Sequence, residues 1–382
     1  MIYGERIKQL REMHHLTQTA LAEKIPELRQ DLVSRFEKER AVPDDEVVAL
    51  IAASTGVTVG FLSKPPSVDL AAHAPQLRAR SKLAEGSRNA AIQWARLVYE
   101  THGTLSRSVG TVPLQFTPMH GASPKEAARE VRRLLSLGST GPLPYLVLAV
   151  ERIGITVLGL PISEPNLDAF CAWTEGSPVI GLLDGVPGGR LRFNVAHELG
   201  HLALHPPGRT GKVFEVEADE FATELLAPLD GIRGEFPRRL TLSSLTMLKT
   251  QWGVSIRSLI RRARELDIID SDRTTGLYRQ ISARGWNKAE PGHVPLEKPR
   301  AFFKLCEVVY GSGPNIPKLA MDAAWSEEMA QSVLSRHARA NELPFVGSRN
   351  GSTKSDGVID MASWRVNRNS ALRQARLWSS DS

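Results

Sequence analysis

Cysteine is scarce: the 382 residues hold two, Cys171 and Cys306, and no CxxC pair. That excludes a disulfide framework and a thiolate cage, so any metal would rest on imidazole and carboxylate. Long apolar runs are missing too, with none near the eighteen or so residues that a membrane helix needs. The opening MIYGERIKQL carries charge where a secretory signal has its apolar stretch, so neither export nor membrane spanning is expected and the reading is cytoplasmic. Internal repeats are lacking. The net charge of +6 is unevenly placed, since residues 276–382 hold fifteen Lys/Arg against ten Asp/Glu while residues 1–42 are nearly balanced. The charge suggests a polyanionic partner, but its placement weakens that inference and makes it no proof of DNA binding.

What is present reads first as helix. Ile2, Ile7, Leu10 and Met13 suit one helical face, Thr17 stands where an N-cap would open a second helix over 20–25, and a third runs from Gln30 to Glu39. More helical pattern follows Pro43 up to Gly56, with a last turn at Phe61 and Leu62, giving a compact all-α module over 1–64. The stretch SKPPSVDLAAHAP (63–75) has linker composition, and the chain beyond it is expected to fold separately. Helices are read at 87–101, at 124–137 behind Ser123 and Pro124, and at 146–153; short strands at 155–161, 169–174 and 179–183 form a small antiparallel sheet. Two further helices are read at 214–226 and 243–266, the second broken near Gly253. Beyond about residue 285 the pattern decays, and GSRNGSTKSDG (347–357) has the composition of a flexible segment.

The chemistry concentrates in RFNVAHELGH, residues 192–201. His197 and His201 are four apart, so a helix projects both imidazoles from one face and lets them share a zinc ion. Glu198 lies beside the pair, where a carboxylate can take a proton from water at the metal. A catalytic zinc needs a third protein ligand and one open position. In FEVEADEFA (214–222) Glu215 and Asp219 share a helical face, so Glu215 suits the metal and Asp219 suits a hydrogen bond to a ligating histidine; Glu217, in line with Phe221 and Glu224, is the weaker candidate. His205, just before Pro206, reads as a helix C-cap. The bland alternative is a solvated helix that happens to carry two histidines.

HELGHLALH followed by EVEADEFATELLAP resembles the ImmA/IrrE metallopeptidases, gluzincin-like proteins in which the HExxH histidines and a downstream glutamate bind zinc. The resemblance covers roughly residues 123–282 and implies peptidase activity against a repressor protein. Asn194 stands where this family usually has Thr or Ser, outside the ligand set. In the N-terminal module, LTQTALAEKI (16–25) and VSRFE (33–37) are similar to the XRE-type, lambda repressor-like helix-turn-helix. Leu21, Ala22, Val33 and Phe36 would pack its two helices, leaving Gln18, Gln30, Asp31, Ser34 and Arg35 for DNA: Gln18 toward a phosphate, Gln30 and Arg35 toward base edges. One departure is the turn, where Pro26-Glu27-Leu28-Arg29 replaces the usual glycine and adds a residue. A helical bundle used for dimerisation or docking is the competing reading of 1–64. The basic, aromatic-bearing stretch from Trp364 to Trp378 reads as a solvated or partner-docking helix.

The expected fold is α+β: an all-α helix-turn-helix domain (1–64), a linker and connecting helix (65–122), a zincin-like helical domain with the small sheet (123–282) and a C-terminal extension (283–382). The expected protein is a DNA-binding transcriptional regulator carrying a zinc-dependent endopeptidase, with Zn2+ as cofactor. Operator DNA and a repressor-type protein substrate are its expected partners, and a homodimer would read a palindrome. The alternative is a transcription factor or antitoxin-like regulator whose zinc domain senses a ligand or holds structure without proteolysis.

Overall fold

The computed structural model describes residues 1–67, 70, 83–287, 289–311, 313, 315–339 and 342–343. The segment 347–357, the stretch 364–378 and part of the 63–75 linker lie outside the described residues. No helix among the described residues is long and apolar enough to cross a membrane.

Five helices open the chain: α1 (Gly4–Met13), α2 (Gln18–Glu23), α3 (Gln30–Glu37), α4 (Asp45–Thr55) and α5 (Val59–Leu62). Local chemistry sets their ends. The Thr17 hydroxyl accepts from the Ala20 amide and the Asp44 carboxylate from that of Val47, each cap contributing about 1 kcal/mol; Gly56, at φ +74°, ends α4. In the longer turn between α2 and α3, Glu27 takes the left-handed conformation (φ +63°) that glycine takes without penalty.

Next come α6 (Glu85–Val109), α7 (Pro124–Leu134) behind a Ser123–Glu126 capping box, and α8 (Leu146–Arg152). The strands are β1 (Thr156–Gly159), β2 (Ala169–Thr174) and β3 (Ser177–Leu182). The expected antiparallel pairing holds for the β2–β3 hairpin, but the sheet is mixed, in the order β1-β3-β2 with β1 parallel to β3. After β1 the connection 160–168 passes to the far edge, so β2 forms there and the hairpin returns β3 into the middle. Side chains alternate strictly. Val157, Ala169, Cys171, Ile180 and Leu182 enter one core, whereas Leu158, Phe170, Ala172 and Val179 enter the other. Gly181 faces Phe170 across the hairpin, and a Cβ there would sit 2.7 Å from the ring.

The sheet is thus a wall between two cores. One holds α7, α8, α9 (Gly188–Leu204), α10 (Lys212–Leu226), α12 (Leu242–Trp252), α13 (Ile256–Glu265) and α14 (Ser271–Ala283), with the short α11 (Leu229–Ile232) at its edge. The other joins α1–α5 to α6 and to three helices in the region where the pattern decays: α15 (Ala301–Tyr310), α16 (Ile316–Ala323) and α17 (Glu327–Ser335). The N-terminal helices therefore do not stand apart. Arg6 reaches Glu100 on α6 at 2.7 Å, and the Trp94 indole donates to the Met13 carbonyl. On the other side Thr58 N–H donates to the Ala324 carbonyl and Ser326 N–H to that of Gly56, both at 2.9 Å.

A contact also links the first module to the sheet. His15, itself at φ +54°, pairs with the buried carboxylate of Glu164 in the 160–168 connection at 2.6 Å. That hydrogen bond raises the imidazole above its ordinary value of 6.5. A raised folded-state pKa contributes stability that is fully present below the unfolded value and fades as pH rises through the folded one. His15→Gln should therefore lower thermal stability relative to wild type at about pH 6 and not at about pH 9. A difference constant across that range would contradict the pairing.

Candidate metal centre and helix-turn-helix surface

Helix α9 buries Leu191, Val195, Leu199, Leu202 and Ala203 in the core and turns His197 and His201 toward α10. Its first turns are anchored by buried Arg192, which donates to the carbonyls of Gly253 and Leu143 and pairs with Glu297. The segment carrying Glu297 and Glu290 caps neighbouring backbone, Glu297 accepting from Val147 N–H and Glu290 from Ile256 N–H. Helix α10 crosses α9 at Gly200, where a Cβ would lie 3.0 Å from the Phe221 ring and 3.2 Å from the Ala218 Cα. The absent side chain lets α10 bring its acidic face to the histidines.

There, three residues from two helices converge. His197 Nε2 and His201 Nε2 are 3.1 Å apart, and the Glu215 carboxylate is 3.4 Å from the first and 3.5 Å from the second. Neighbouring ligand atoms of a tetrahedral zinc site with bonds of about 2.0 Å are separated by about 3.3 Å. The cluster fits. Among the described residues it is the group of His, Cys, Asp and Glu whose ligand atoms gather closely enough to hold an ion. His201 is buried, whereas the Glu215 side chain is 46 % exposed, so the site opens on that side to water or substrate.

The supporting contacts divide between the two imidazoles. Asp219 Oδ1 lies 2.9 Å from His197 Nδ1, and a proton held there leaves the Nε2 lone pair facing the cluster. Burial pushes His197 down, but the hydrogen bonds of Asp219 and Glu215 and the charges of Glu198 and Asp219 outweigh it and hold the group at about 9. Hydrogen bonds from His197 and His201 hold Glu215 far below the usual carboxylate range. A divalent cation would take the place of the His197 proton, because only neutral imidazole offers a lone pair. Glu198 is buried, 2 % exposed, next along the helix from His197. Asn194, one turn earlier, donates to Asp168 at 3.0 Å.

Two residues set aside in the sequence also belong to this cluster. His205 occupies the C-cap position of α9, yet its side chain turns inward, with its Nδ1 3.0 Å from His201 Nδ1 and its Nε2 3.0 Å from Glu217 Oε2. Glu217, off the Glu215 face, meets His205 rather than the ligand atoms. Burial lowers the His205 imidazole below its usual range, against the opposing pull of Glu217. The available signal was the spacing: His197, His201 and His205 stand at i, i+4 and i+8.

In the first module, Leu21, Ala22, Val33 and Phe36 are buried between the helices, while Gln30, Asp31 and Arg35 are exposed and Gln18 and Ser34 half-buried. Gln30 opens α3 and its amide donates to Gln18 Oε1 at 2.8 Å; Gln18 in turn donates to Glu37, which Arg11 holds at 2.5 Å. Asp31 pairs with Arg29. The side chain expected at a phosphate, Gln18, is thus engaged in fixing Gln30.

Comparison with family models assigns both parts. Residues 7–62 match the helix-turn-helix model and residues 150–264 match the IrrE N-terminal-like domain, a peptidase family. Comparison with curated proteins finds no match. The chain joins an XRE-type helix-turn-helix domain and an IrrE/ImmA-like peptidase domain in one polypeptide.

Proposed function

We propose that this protein is a cytoplasmic, DNA-binding transcriptional regulator whose IrrE-like domain is a zinc-dependent endopeptidase acting on a repressor-type protein. The observation that carries the reading is the convergence of His197, His201 and Glu215 with Glu198 adjacent on the same helix. A purely structural zinc site would use four protein ligands and would have no need of Glu198.

Zinc held by His197, His201 and Glu215 would supply a Lewis acid for the scissile carbonyl and lower the pKa of the attacking water. Asp219 fixes the tautomer of His197. Glu198, shielded from bulk solvent, takes the proton from the attacking water and passes it to the departing amine. A peptide would approach from the side of Glu215, the exposed side of the cluster.

On the DNA side, the Gln18 brace holds one amide hydrogen of Gln30 and leaves its other hydrogen and its oxygen for a base edge in the major groove, with the exposed Arg35 further along the same helix. Gln30→Ala is expected to lose about 1–3 kcal/mol of discrimination at one base pair. Gln18→Ala should show the same loss, because the freed amide loses its orientation. The full chain is the proper material, since the N-terminal helices share their core with α6 and α15–α17. The test is selection of a binding site from random duplexes, then titration of each variant at several salt concentrations. Equal affinity for selected and random duplex would defeat the readout.

Proteolysis is tested by incubating zinc-loaded protein with repressor-type proteins encoded beside it. Cleavage by wild type that Glu198→Gln lacks supports the reading; intact repressors in both samples contradict it.

A further inference from the structure

His197 has a carboxylate directly on its Nδ1, whereas His201 has none; its Nδ1 faces another imidazole. We propose that His205 and Glu217 are positioning residues that set the tautomer and ring orientation of His201, delivering through one intervening imidazole what Asp219 delivers directly to His197. The proposal rests on the reading that His201 Nε2 faces a metal ion.

With a metal ion on His201 Nε2, the hydrogen bonds leave one arrangement. A single proton lies between His201 Nδ1 and His205 Nδ1, which are 3.0 Å apart. A ligating His201 must keep its Nε2 lone pair, so its Nδ1 carries that proton and His205 Nδ1 accepts it. His205 then carries its own proton on Nε2 and donates it to Glu217 at 3.0 Å. Reversing the order would put a proton on His201 Nε2, where the metal must bind, and would set a lone pair of His205 against the Glu217 carboxylate. The Glu217 carboxylate therefore selects the tautomer of His201 two hydrogen bonds away. Packing fixes the ring that transmits it: His205 is 3 % exposed, and the Phe214 ring meets it edge-on with centroids 4.9 Å apart. All three parts come from one local arrangement, His205 from the end of α9 and Phe214 and Glu217 from the first turns of α10.

Support of this kind is worth on the order of 10–100-fold in metal affinity, so the test reads zinc affinity of the full chain by competition with a chelator. His205→Ala removes the acceptor and should weaken zinc binding by about 10–100-fold. His205→Gln places an amide oxygen toward His201 Nδ1 and an amide N–H toward Glu217, repeating the pattern, and should recover to within about threefold of wild type. Glu217→Ala should fall with His205→Ala. Thermal unfolding without added zinc separates this from loss of fold: a merely structural His205 would lower the melting temperature and leave the affinity of the folded protein unchanged. Long-range nitrogen–proton NMR correlations should show His201 protonated at Nδ1 in wild type and in His205→Gln. If His205→Ala binds zinc within twofold of wild type, or His205→Gln is as weak as His205→Ala, the positioning role is wrong while the metal centre stands. If wild type itself takes up no zinc, the metal centre falls and this inference falls with it.

Discussion

Replacing Glu198 with Gln is expected to leave zinc content and fold unchanged while cleavage falls by a factor on the order of a hundred or more. The change keeps the volume of a side chain that is 2 % exposed, so packing along α9 is preserved. It deletes one thing, a carboxylate able to accept a proton. Glu198 neighbours His197 in sequence but lies outside the gathered ligand atoms of His197, His201 and Glu215, so the metal is not the group that should feel its loss. The same variant separates an enzyme from a metal-dependent transcription factor. An enzyme loses regulation in cells with Glu198→Gln as completely as with His197→Ala; a ligand sensor keeps it with the first and loses it with the second. Wild-type cleavage by Glu198→Gln would remove the assigned base.

The second large effect is on stability. Trp325→Ala should cost about 3 kcal/mol, the lower end of the range for deleting a large buried aromatic. Its indole is 2 % exposed in the core that unites the N-terminal helices with α6 and α15–α17, and its backbone bridges Val57. The lower end applies because the buried indole N–H meets no acceptor among the described residues, so deleting it also relieves an unsatisfied donor. Chemical denaturation should show the helix-turn-helix unfolding together with the C-terminal helices. A loss below about 1 kcal/mol, or a helix-turn-helix that melts on its own unaffected by the change, would contradict a shared core.

Local geometry was legible in the sequence. The four-residue step from His197 to His201, the common face of Glu215 and Asp219, the caps at Ser123 and Thr17 and the break at Gly253 are all set within one or two turns of chain, and the structure shows the corresponding geometry. What escaped was non-local. Helices α15–α17 are short, with Gly311, Gly313 and Pro314 in the sequence between the first two, so no sustained period marks them; they are buried against α4–α6, far earlier in the chain. The parallel pairing of β1 depends on which slot the hairpin leaves open, and no strand encodes that by itself. His205 illustrates a different loss. Its place at the helix end suggested a backbone role, and its side-chain partner Glu217 could be identified only once α9 and α10 were seen to cross at Gly200.

The metal centre carries both the proposed chemistry and the positioning role of His205, and elemental analysis of purified full-length protein after zinc loading and dialysis tests it. About one zinc per chain is expected in wild type and in Glu198→Gln, with X-ray absorption showing two imidazoles and a carboxylate, and none is expected in His197→Ala. A wild-type chain that holds no zinc, or a His197→Ala chain that holds as much as wild type, would contradict it.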